Sequence, residues 1–199
     1  EIQYVVDHAE ARFIVAENQE QVDKALEIRE QCPRVERIFY CDPKGLRKYD
    51  PQIVMDIQTV MASGREILEA NAEAVVSEIQ KGAGSDTAII LYTSGTTGRP
   101  KGVVLSYENL LVTARNANAF DQITADEEVL AYLPMAWVGD NAFSFAMGLV
   151  AGFCVNCPES ADTVAQDLRE IGPTFYFAPP RVFESVLTSV IIRMKDAGR

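Results

Sequence analysis

One stretch of eleven residues, 92–102, constrains this sequence more than any other. It reads Tyr-Thr-Ser-Gly-Thr-Thr-Gly-Arg-Pro-Lys-Gly, and an apolar run lies on each side of it, 88–91 before and 103–105 after. Short apolar runs bounded by turn residues are typical of buried strands. The pattern therefore predicts a strand, an exposed loop and a second strand.

The composition of this loop favours anion binding. Glycine allows a backbone turn with positive φ and close approach to a ligand. Successive backbone N–H groups in such a turn form an anion-binding concavity. Hydroxyl side chains add donors, and a lysine adds a mobile positive charge suited to phosphate. We therefore predict that a polyphosphate cofactor is contacted by Thr93, Ser94, Gly95, Thr96, Thr97, Gly98 and Lys101.

Two other interpretations of the loop are weaker. A surface loop rich in small polar residues is common, but rarely has this order of residues between two buried strands. The P-loop signature requires Ser or Thr after its lysine and a helix after the loop. Here Gly102 follows Lys101, Pro100 precedes it, and an apolar strand pattern comes next. The sequence thus excludes a P-loop.

The stretch resembles the phosphate-loop signature of the adenylate-forming superfamily, which includes acyl-CoA synthetases, luciferases and peptide-synthetase adenylation domains. That signature begins with Tyr or Phe, continues Thr-Ser-Gly, Ser or Thr, Thr-Gly, any residue, and ends Pro-Lys-Gly. Residues 92–102 match it throughout. The resemblance implies ATP with Mg²⁺ as cofactors, CoA as co-substrate, and catalytic roles for Thr96 and Lys101.

Residues 133–141 resemble the superfamily's second signature, which lines the acyl pocket. The resemblance implies substrate contacts by Met135, Trp137 and Gly139. Trp137 stands where histidine is frequent, and an indole can wall an apolar tunnel but cannot do acid–base work. A plain core role for Trp137 is the alternative. Asp140 is predicted to cap a helix over 141–150 rather than to bind a ligand.

Residues 163–184 are similar to a Pro-Thr and Pro-Arg run of long-chain acyl-CoA synthetases. The chain is thus identified as an internal fragment of the N-terminal domain of a long-chain fatty-acid–CoA ligase. The superfamily's magnesium-binding glutamate, ribose-binding aspartate, hinge and C-terminal lysine have no counterpart here, so we expect the fragment alone to be inactive. Two alternatives stay open: a non-catalytic polyphosphate-binding or packing module, and a ligase for aryl or amino acids.

Strand and helix patterns alternate along the chain, which predicts one α/β subdomain over 1–199 with a largely parallel sheet and helices on both faces, a three-layer αβα arrangement. One helix is expected to begin at Asp50-Pro51 and end at Gly64. Another is expected over 65–81, a helix capped by Ser160 over 161–171, and strands over 129–133 and 174–178. Polar residues within the uncharged stretch 141–158 argue against a membrane span.

Composition excludes several classes. A net charge of −11 and a pI of about 4.6 argue against nucleic-acid binding. The chain has four cysteines, a number that favours a reducing compartment over a disulfide framework. Cys154 and Cys157 lie three apart in a strand pattern and are predicted to be structural, with no metal site. We expect small-molecule partners, the rest of the parent chain, and a cytoplasmic location, with peripheral membrane attachment left open. His8, the only histidine, receives no role.

Overall fold

A computed structural model describes residues 1–93 and 98–198. The chain divides into two compact units, Glu1–Leu105 and Ser106–Arg199. Both units combine helices with paired strands, and every strand register given below is parallel. The predicted α/β class with parallel pairing is therefore confirmed. That residues 1–199 form a single subdomain stays a prediction.

The first unit is built on a three-stranded parallel sheet in the order β1-β2-β3. Ile14 of β1 lies opposite Ile38 of β2, which lies opposite Val54 of β3. The sheet strands are β1 (Phe13–Ala16), β2 (Arg37–Tyr40) and β3 (Val54–Asp56). The helices of the unit are α1 (Ile2–His8), α2 (Gln19–Arg29), α3 (Ile57–Ala70) and α4 (Ala74–Ile79).

Helix α2 supplies much of the core of this sheet. Its start is fixed by Asn18, whose side chain accepts a hydrogen bond from the backbone N–H of Gln21. Val22 and Ala25 then point inward and pack with the fully buried Ile38. Removing such aliphatic side chains from water is the main stabilising contribution to a small sheet of this kind.

The predicted helix at Asp50-Pro51 is wrong. Val54–Asp56 form strand β3, and α3 begins only at Ile57, with Asp56 as its N-cap. The apolar residues 53, 54 and 57 fit a helical spacing, but Val54 is buried because it pairs with Ile38. Tertiary pairing has overridden the local pattern.

Gly64 was also expected to separate two helices, and this is wrong. Helix α3 continues through Gly64 to Ala70, and the break falls at Asn71, before α4. A glycine inside a helix costs about 1 kcal/mol relative to alanine, which lowers stability without ending the helix.

Two further strands complete the first unit. They are β4 (Thr87–Thr93) and β5 (Lys101–Ser106), which pair with each other in a two-stranded sheet. Both lie where the apolar runs on either side of the loop predicted them. The strand, loop, strand interpretation of 88–105 is confirmed for the strands.

The second unit begins with a strong helix start. Ser106 accepts a hydrogen bond from the N–H of Asn109, and the Asn109 side chain accepts one from the N–H of Ser106. Later in the unit, strands β6 (Glu128–Leu130) and β7 (Cys154–Asn156) pair in parallel. Phe175 forms a single parallel bridge to Val129 of β6. The elements are α5 (Tyr107–Asp121), β6 (Glu128–Leu130), α6 (Val138–Asp140), a π-helix (Asn141–Ala146), α7 (Met147–Ala151), β7 (Cys154–Asn156), α8 (Val164–Ile171) and α9 (Pro180–Asp196).

Two expectations for this unit need correction. The stretch 174–178 forms one bridge at Phe175 rather than a strand. Helix α8 begins at Val164, because the Thr163 hydroxyl bonds back to the Ser160 carbonyl and closes a turn before the helix. Among the helices that the structure describes, none is both long and apolar enough to cross a bilayer.

A pair of glycine substitutions tests this account of the first unit. At Gly64 an added Cβ meets nothing within 4 Å. We expect Gly64→Ala to raise the free energy of unfolding by about 0.5–1 kcal/mol, because it removes backbone freedom from the unfolded chain. Chemical unfolding monitored by circular dichroism measures this.

The matched control is Gly45, which has a φ of +83° and whose added Cβ would lie 2.0 Å from Oε1 of Gln19. Gly45→Ala should lower the free energy of unfolding by about 1–2 kcal/mol, because the left-handed conformation disfavours a Cβ. If Gly64→Ala lowered the free energy of unfolding as much as Gly45→Ala does, this would contradict a helix that runs through Gly64.

Candidate functional site

The residues beside the predicted anion-binding loop lie at two strand ends. Thr93 is the last residue of β4 and Lys101 is the first residue of β5, and both are exposed. Gly98 has a φ of +136°, a conformation that side chains rarely adopt. The positions predicted at Ser94, Gly95, Thr96 and Thr97 lie outside the described residues.

The strands β4 and β5 meet through a close contact at the base of this loop. A Cβ built on Gly102 would lie 3.0 Å from Cγ2 of Ile90 and 3.3 Å from Cε1 of Tyr92. A side chain at this position would therefore push the Ile90 and Tyr92 side chains outward by a few tenths of an ångström. The motif residues Tyr92 and Gly102 have a shared structural role that the sequence pattern alone does not reveal.

Helix α1 reaches the residues on either side of the loop. Nδ1 of His8 and the Tyr92 hydroxyl lie 2.8 Å apart and share a hydrogen bond. The guanidinium of Arg99 lies over the Tyr4 ring, 5.4 Å from its centroid. Burial raises the pKa of Tyr92, and nearby Tyr4 adds to the rise. No sequence pattern connects His8 with the loop, because 84 residues separate it from Tyr92.

In the second unit, the predicted substrate residues cluster at the start of α6. The Trp137 ring stacks on Phe177 with centroids 5.9 Å apart, and Phe177 stacks on Phe143 at 4.0 Å. Trp137 is 40% exposed and lies outside the buried core cluster of its unit. The aromatic stack instead forms a partly open apolar surface.

Gly139 allows the indole to lie over the helix. A Cβ at this position would lie 2.3 Å from Cζ3 and 2.6 Å from Cε3 of Trp137. No side-chain atom can occupy that space unless the indole moves. Trp137 and Gly139, predicted together as substrate residues, are thus brought into direct contact.

Asn141 holds this segment in place. Its side-chain amide donates to the carbonyl oxygens of Met135, at 2.6 Å, and Trp137, at 3.4 Å, and only 3% of the residue is exposed. The helix turns here are π-helical, a departure that is frequent at functional sites. Sequence reasoning missed Asn141, although a second polar residue directly after Asp140, ahead of the apolar Ala142 and Phe143, was the available signal.

The predicted cap at Asp140 is wrong. The helix already begins at Val138, and Asp140 makes no side-chain capping bond. Its carboxylate is buried and accepts a hydrogen bond of 2.9 Å from the Ser144 hydroxyl. Because a buried carboxylate needs such a partner, this bond stabilises the first turns.

An open cleft of about 420 Å³ lies beside this segment. Met135 lines it together with Phe145, Leu149 and Phe153, and the buried Asp140 and Ser144 face the same space. Ligand clefts are typically of this size, mostly apolar, with a few placed polar groups. The cleft is thus large enough to hold part of an apolar ligand.

The cysteine pair has no such arrangement. Cys154 and Cys157 are both free and exposed, and a hydrogen bond with neighbouring Glu128 raises the pKa of the Cys154 thiol. A thiol with a raised pKa is a weak nucleophile and metal ligand at neutral pH. Within residues 1–93 and 98–198, no three metal-ligating side chains come together in one group.

Comparison with known proteins settles the family. The model of the AMP-binding enzyme family matches residues 1–197. The chain belongs to the AMP-binding enzyme family.

Individual relatives support the same assignment. Over 196 residues the chain is 29% identical to the long-chain-fatty-acid–CoA ligase ACSBG1 of Rattus norvegicus, covering 94% of this chain and 26% of that protein. It is 30% identical to the corresponding ligase ACSBG2 of Xenopus laevis over 190 residues, with 92% and 25% covered. The chain thus spans about a quarter of the length of these relatives.

Solved structures agree on the fold. The complex of VinN with L-aspartate superposes with a TM-score of 0.66 at 22% identity, covering 96% of this chain and 42% of that one. At this identity the likeness concerns the fold alone. It shows that this chain has the fold of the part of that structure on which it superposes.

The geometry around Trp137 generates a prediction. Gly139→Ala should displace the indole from the Phe177 stack and red-shift its fluorescence, because the added methyl would occupy the ring's position. Trp137 is the only tryptophan of the chain, so its emission is a specific probe. Gly64→Ala, where the added methyl touches nothing, is the control and should leave the emission unchanged. An unshifted spectrum for Gly139→Ala would show that the indole does not pack over this glycine.

Proposed function

We propose that this chain carries the phosphate-binding loop and part of the acyl-binding surface of an ATP-dependent long-chain fatty-acid–CoA ligase. The observation that carries the proposal is the complete eleven-residue loop signature, set between two paired strands in a chain of the AMP-binding family. The similarity to long-chain fatty-acid–CoA ligases supports the choice of substrate. The parent protein is proposed to be cytoplasmic.

The first half-reaction has an electrostatic problem. A fatty-acid carboxylate oxygen attacks the α-phosphorus of MgATP, the bond to the bridging oxygen breaks, and pyrophosphate leaves. Both reactants are anions, and further charge develops on the leaving group. Donors and cations placed at that charge stabilise the transition state.

The loop is suited to supply those donors. Lys101 is exposed at the first position of β5, where its ammonium is free to reach a phosphate oxygen. Thr93 at the end of β4 adds a hydroxyl, and Gly98 leaves the backbone open to close approach. We propose that these residues, with Ser94, Gly95, Thr96 and Thr97, hold the β- and γ-phosphates, and that Lys101 and Thr96 act in catalysis.

The second half-reaction forms the thioester. The CoA thiolate attacks the acyl carbon of the adenylate, and AMP leaves with the bonding electrons. We propose that Met135, Trp137 and Gly139 contact the acyl chain during both steps. The apolar cleft lined by Met135 and the exposed aromatic stack of Trp137 support this assignment.

Two alternatives make different predictions. A non-catalytic module would bind polyphosphate without activating any acid. A ligase for aryl or amino acids would bind MgATP in the same manner but would not be stimulated by long-chain fatty acids. Adenylation of any acid separates the non-catalytic module from a ligase, and the preferred acid separates the two kinds of ligase.

Lys101→Ala tests the loop assignment. In the full-length protein we expect the substitution to weaken MgATP binding about 10- to 100-fold, because it removes a charge-assisted contact to phosphate. Isothermal titration with MgATP measures the dissociation constant.

Lys81→Ala is the matched control. Lys81 is also an exposed lysine, but it pairs with Glu78 on the helix surface. Its loss should leave the dissociation constant unchanged. If both variants bind MgATP like the wild type, Lys101 is not a phosphate ligand and the loop assignment is wrong.

The isolated chain of 199 residues should not turn over. Its sequence contains no counterpart of the superfamily's magnesium-binding glutamate or C-terminal lysine, so we expect no acyl-CoA from MgATP, palmitate and CoA. Mass spectrometry of the reaction mixture detects the product, and the full-length protein is the positive control. Acyl-CoA formed by the purified chain would contradict this expectation.

A further inference from the structure

Helix α1 contacts described residues on both sides of segment 94–97. Tyr4 and His8 lie one turn apart, on one helix face, with their ring centroids 5.3 Å apart. His8 bonds to Tyr92, which precedes the segment, and its ring meets the Tyr92 ring edge-on at 5.7 Å. Tyr4 lies under the guanidinium of Arg99, which follows the segment. One face of one helix thus reaches both ends of the loop.

The helix is itself attached to the three-stranded sheet. Val6 packs against the core that contains Ile38, and the buried Cys32 thiol donates a weak hydrogen bond of 3.7 Å to the Gln3 carbonyl. Val6 is two residues from each of Tyr4 and His8 and therefore lies on the opposite face of the helix, toward the core. The contacts of these two residues therefore connect the flanks of the loop to a packed core.

We propose that Tyr4 and His8 are positioning residues that hold Tyr92 and Arg99, and with them the two ends of the phosphate-binding loop, in a geometry ready for MgATP. The inference rests on the proposed function of the loop. It assigns a role to the only histidine of the chain and to a helix that lies far from the signature in sequence.

The Tyr92 hydroxyl is the decisive atom. The signature admits Tyr or Phe at this position, so packing of the ring across Gly102 does not require a hydroxyl. In this chain the hydroxyl bonds to His8: it donates when Nδ1 is unprotonated and accepts when Nδ1 carries the proton. Fixing a flank of the loop before the ligand arrives lowers the ordering cost that binding otherwise carries.

The contact of Arg99 with Tyr4 restrains the other end of the loop. A guanidinium over a tyrosine ring at an exposed site is a modest attraction. It nevertheless restricts the residue between Gly98, with its positive φ, and Pro100. Both ends of the segment are therefore restrained from the same helix face.

A double-mutant cycle in the full-length protein tests the proposal. Tyr92→Phe removes only the hydroxyl, and His8→Ala removes its partner. Each should weaken MgATP binding about three- to tenfold, the range expected for one neutral hydrogen bond. The double variant should bind no more weakly than either single variant, because all three lack the same bond. His8→Asn, whose amide places a polar atom near the position of Nδ1, should restore most of the affinity.

Further readouts separate positioning from a general loss of stability. The dissociation constant for a long-chain fatty acid should stay at the wild-type value in every variant. Tyr107→Phe, which removes a hydroxyl from an exposed tyrosine on α5, is the matched control and should bind MgATP normally. Additive losses in the double variant, or equal weakening of fatty-acid and MgATP binding, would overturn the proposal.

The outcomes also distinguish this proposal from the function on which it rests. If Lys101→Ala weakens MgATP binding while Tyr92→Phe and His8→Ala bind like the wild type, the loop assignment stands and the positioning role is overturned. If the wild type itself binds no MgATP, the proposed function fails and the positioning role fails with it.

Discussion

The contact between the Tyr92 ring and Gly102 is the constraint on which the proposed phosphate site depends. It lies where β4 and β5 pair at the base of the loop, and a Cβ on Gly102 would crowd the ring at 3.3 Å. The ring in turn presents its hydroxyl to His8, which belongs to a helix packed on the first unit's core. A local motif is thereby connected to the fold of the whole unit. Under the proposed function, the phosphate donors are attached to a fixed base, which is what electrostatic stabilisation of a transition state requires.

The second unit has a similar arrangement of a glycine, an aromatic ring and a polar side chain, but beside an apolar cleft. Gly139 again leaves room for an aromatic ring, here the indole of Trp137, and a buried Asn141 holds the preceding backbone by two carbonyl contacts. The result is a partly exposed aromatic surface beside an apolar cleft. Both candidate regions thus combine a glycine, an aromatic ring lying against it and a polar side chain that fixes the arrangement. In each, the glycine is needed for close approach rather than for flexibility.

Much of this could be predicted from the sequence, and the failures have physical causes. The strands beside the loop and the α/β class follow from short-range patterns that the fold does not override. The helix expected at Asp50-Pro51 failed because Val54 pairs with a strand 16 residues earlier, which no local period reveals. The cap at Asp140 failed because burial gave its carboxylate a different partner, Ser144. His8 and Asn141 were missed because their roles depend on contacts made through the fold, across 84 residues in one case and through a π-helical turn in the other.

The most direct test of the central claim is ATP–pyrophosphate exchange by the full-length protein, measured with labelled pyrophosphate against a panel of carboxylic acids. Exchange reports reversible formation of an acyl-adenylate without requiring CoA, so it isolates the step assigned to the loop. The account predicts exchange that depends on a long-chain fatty acid and that Lys101→Ala reduces strongly. ATP cleavage to ADP and phosphate, or the absence of acid-dependent exchange with every acid tested, would contradict it.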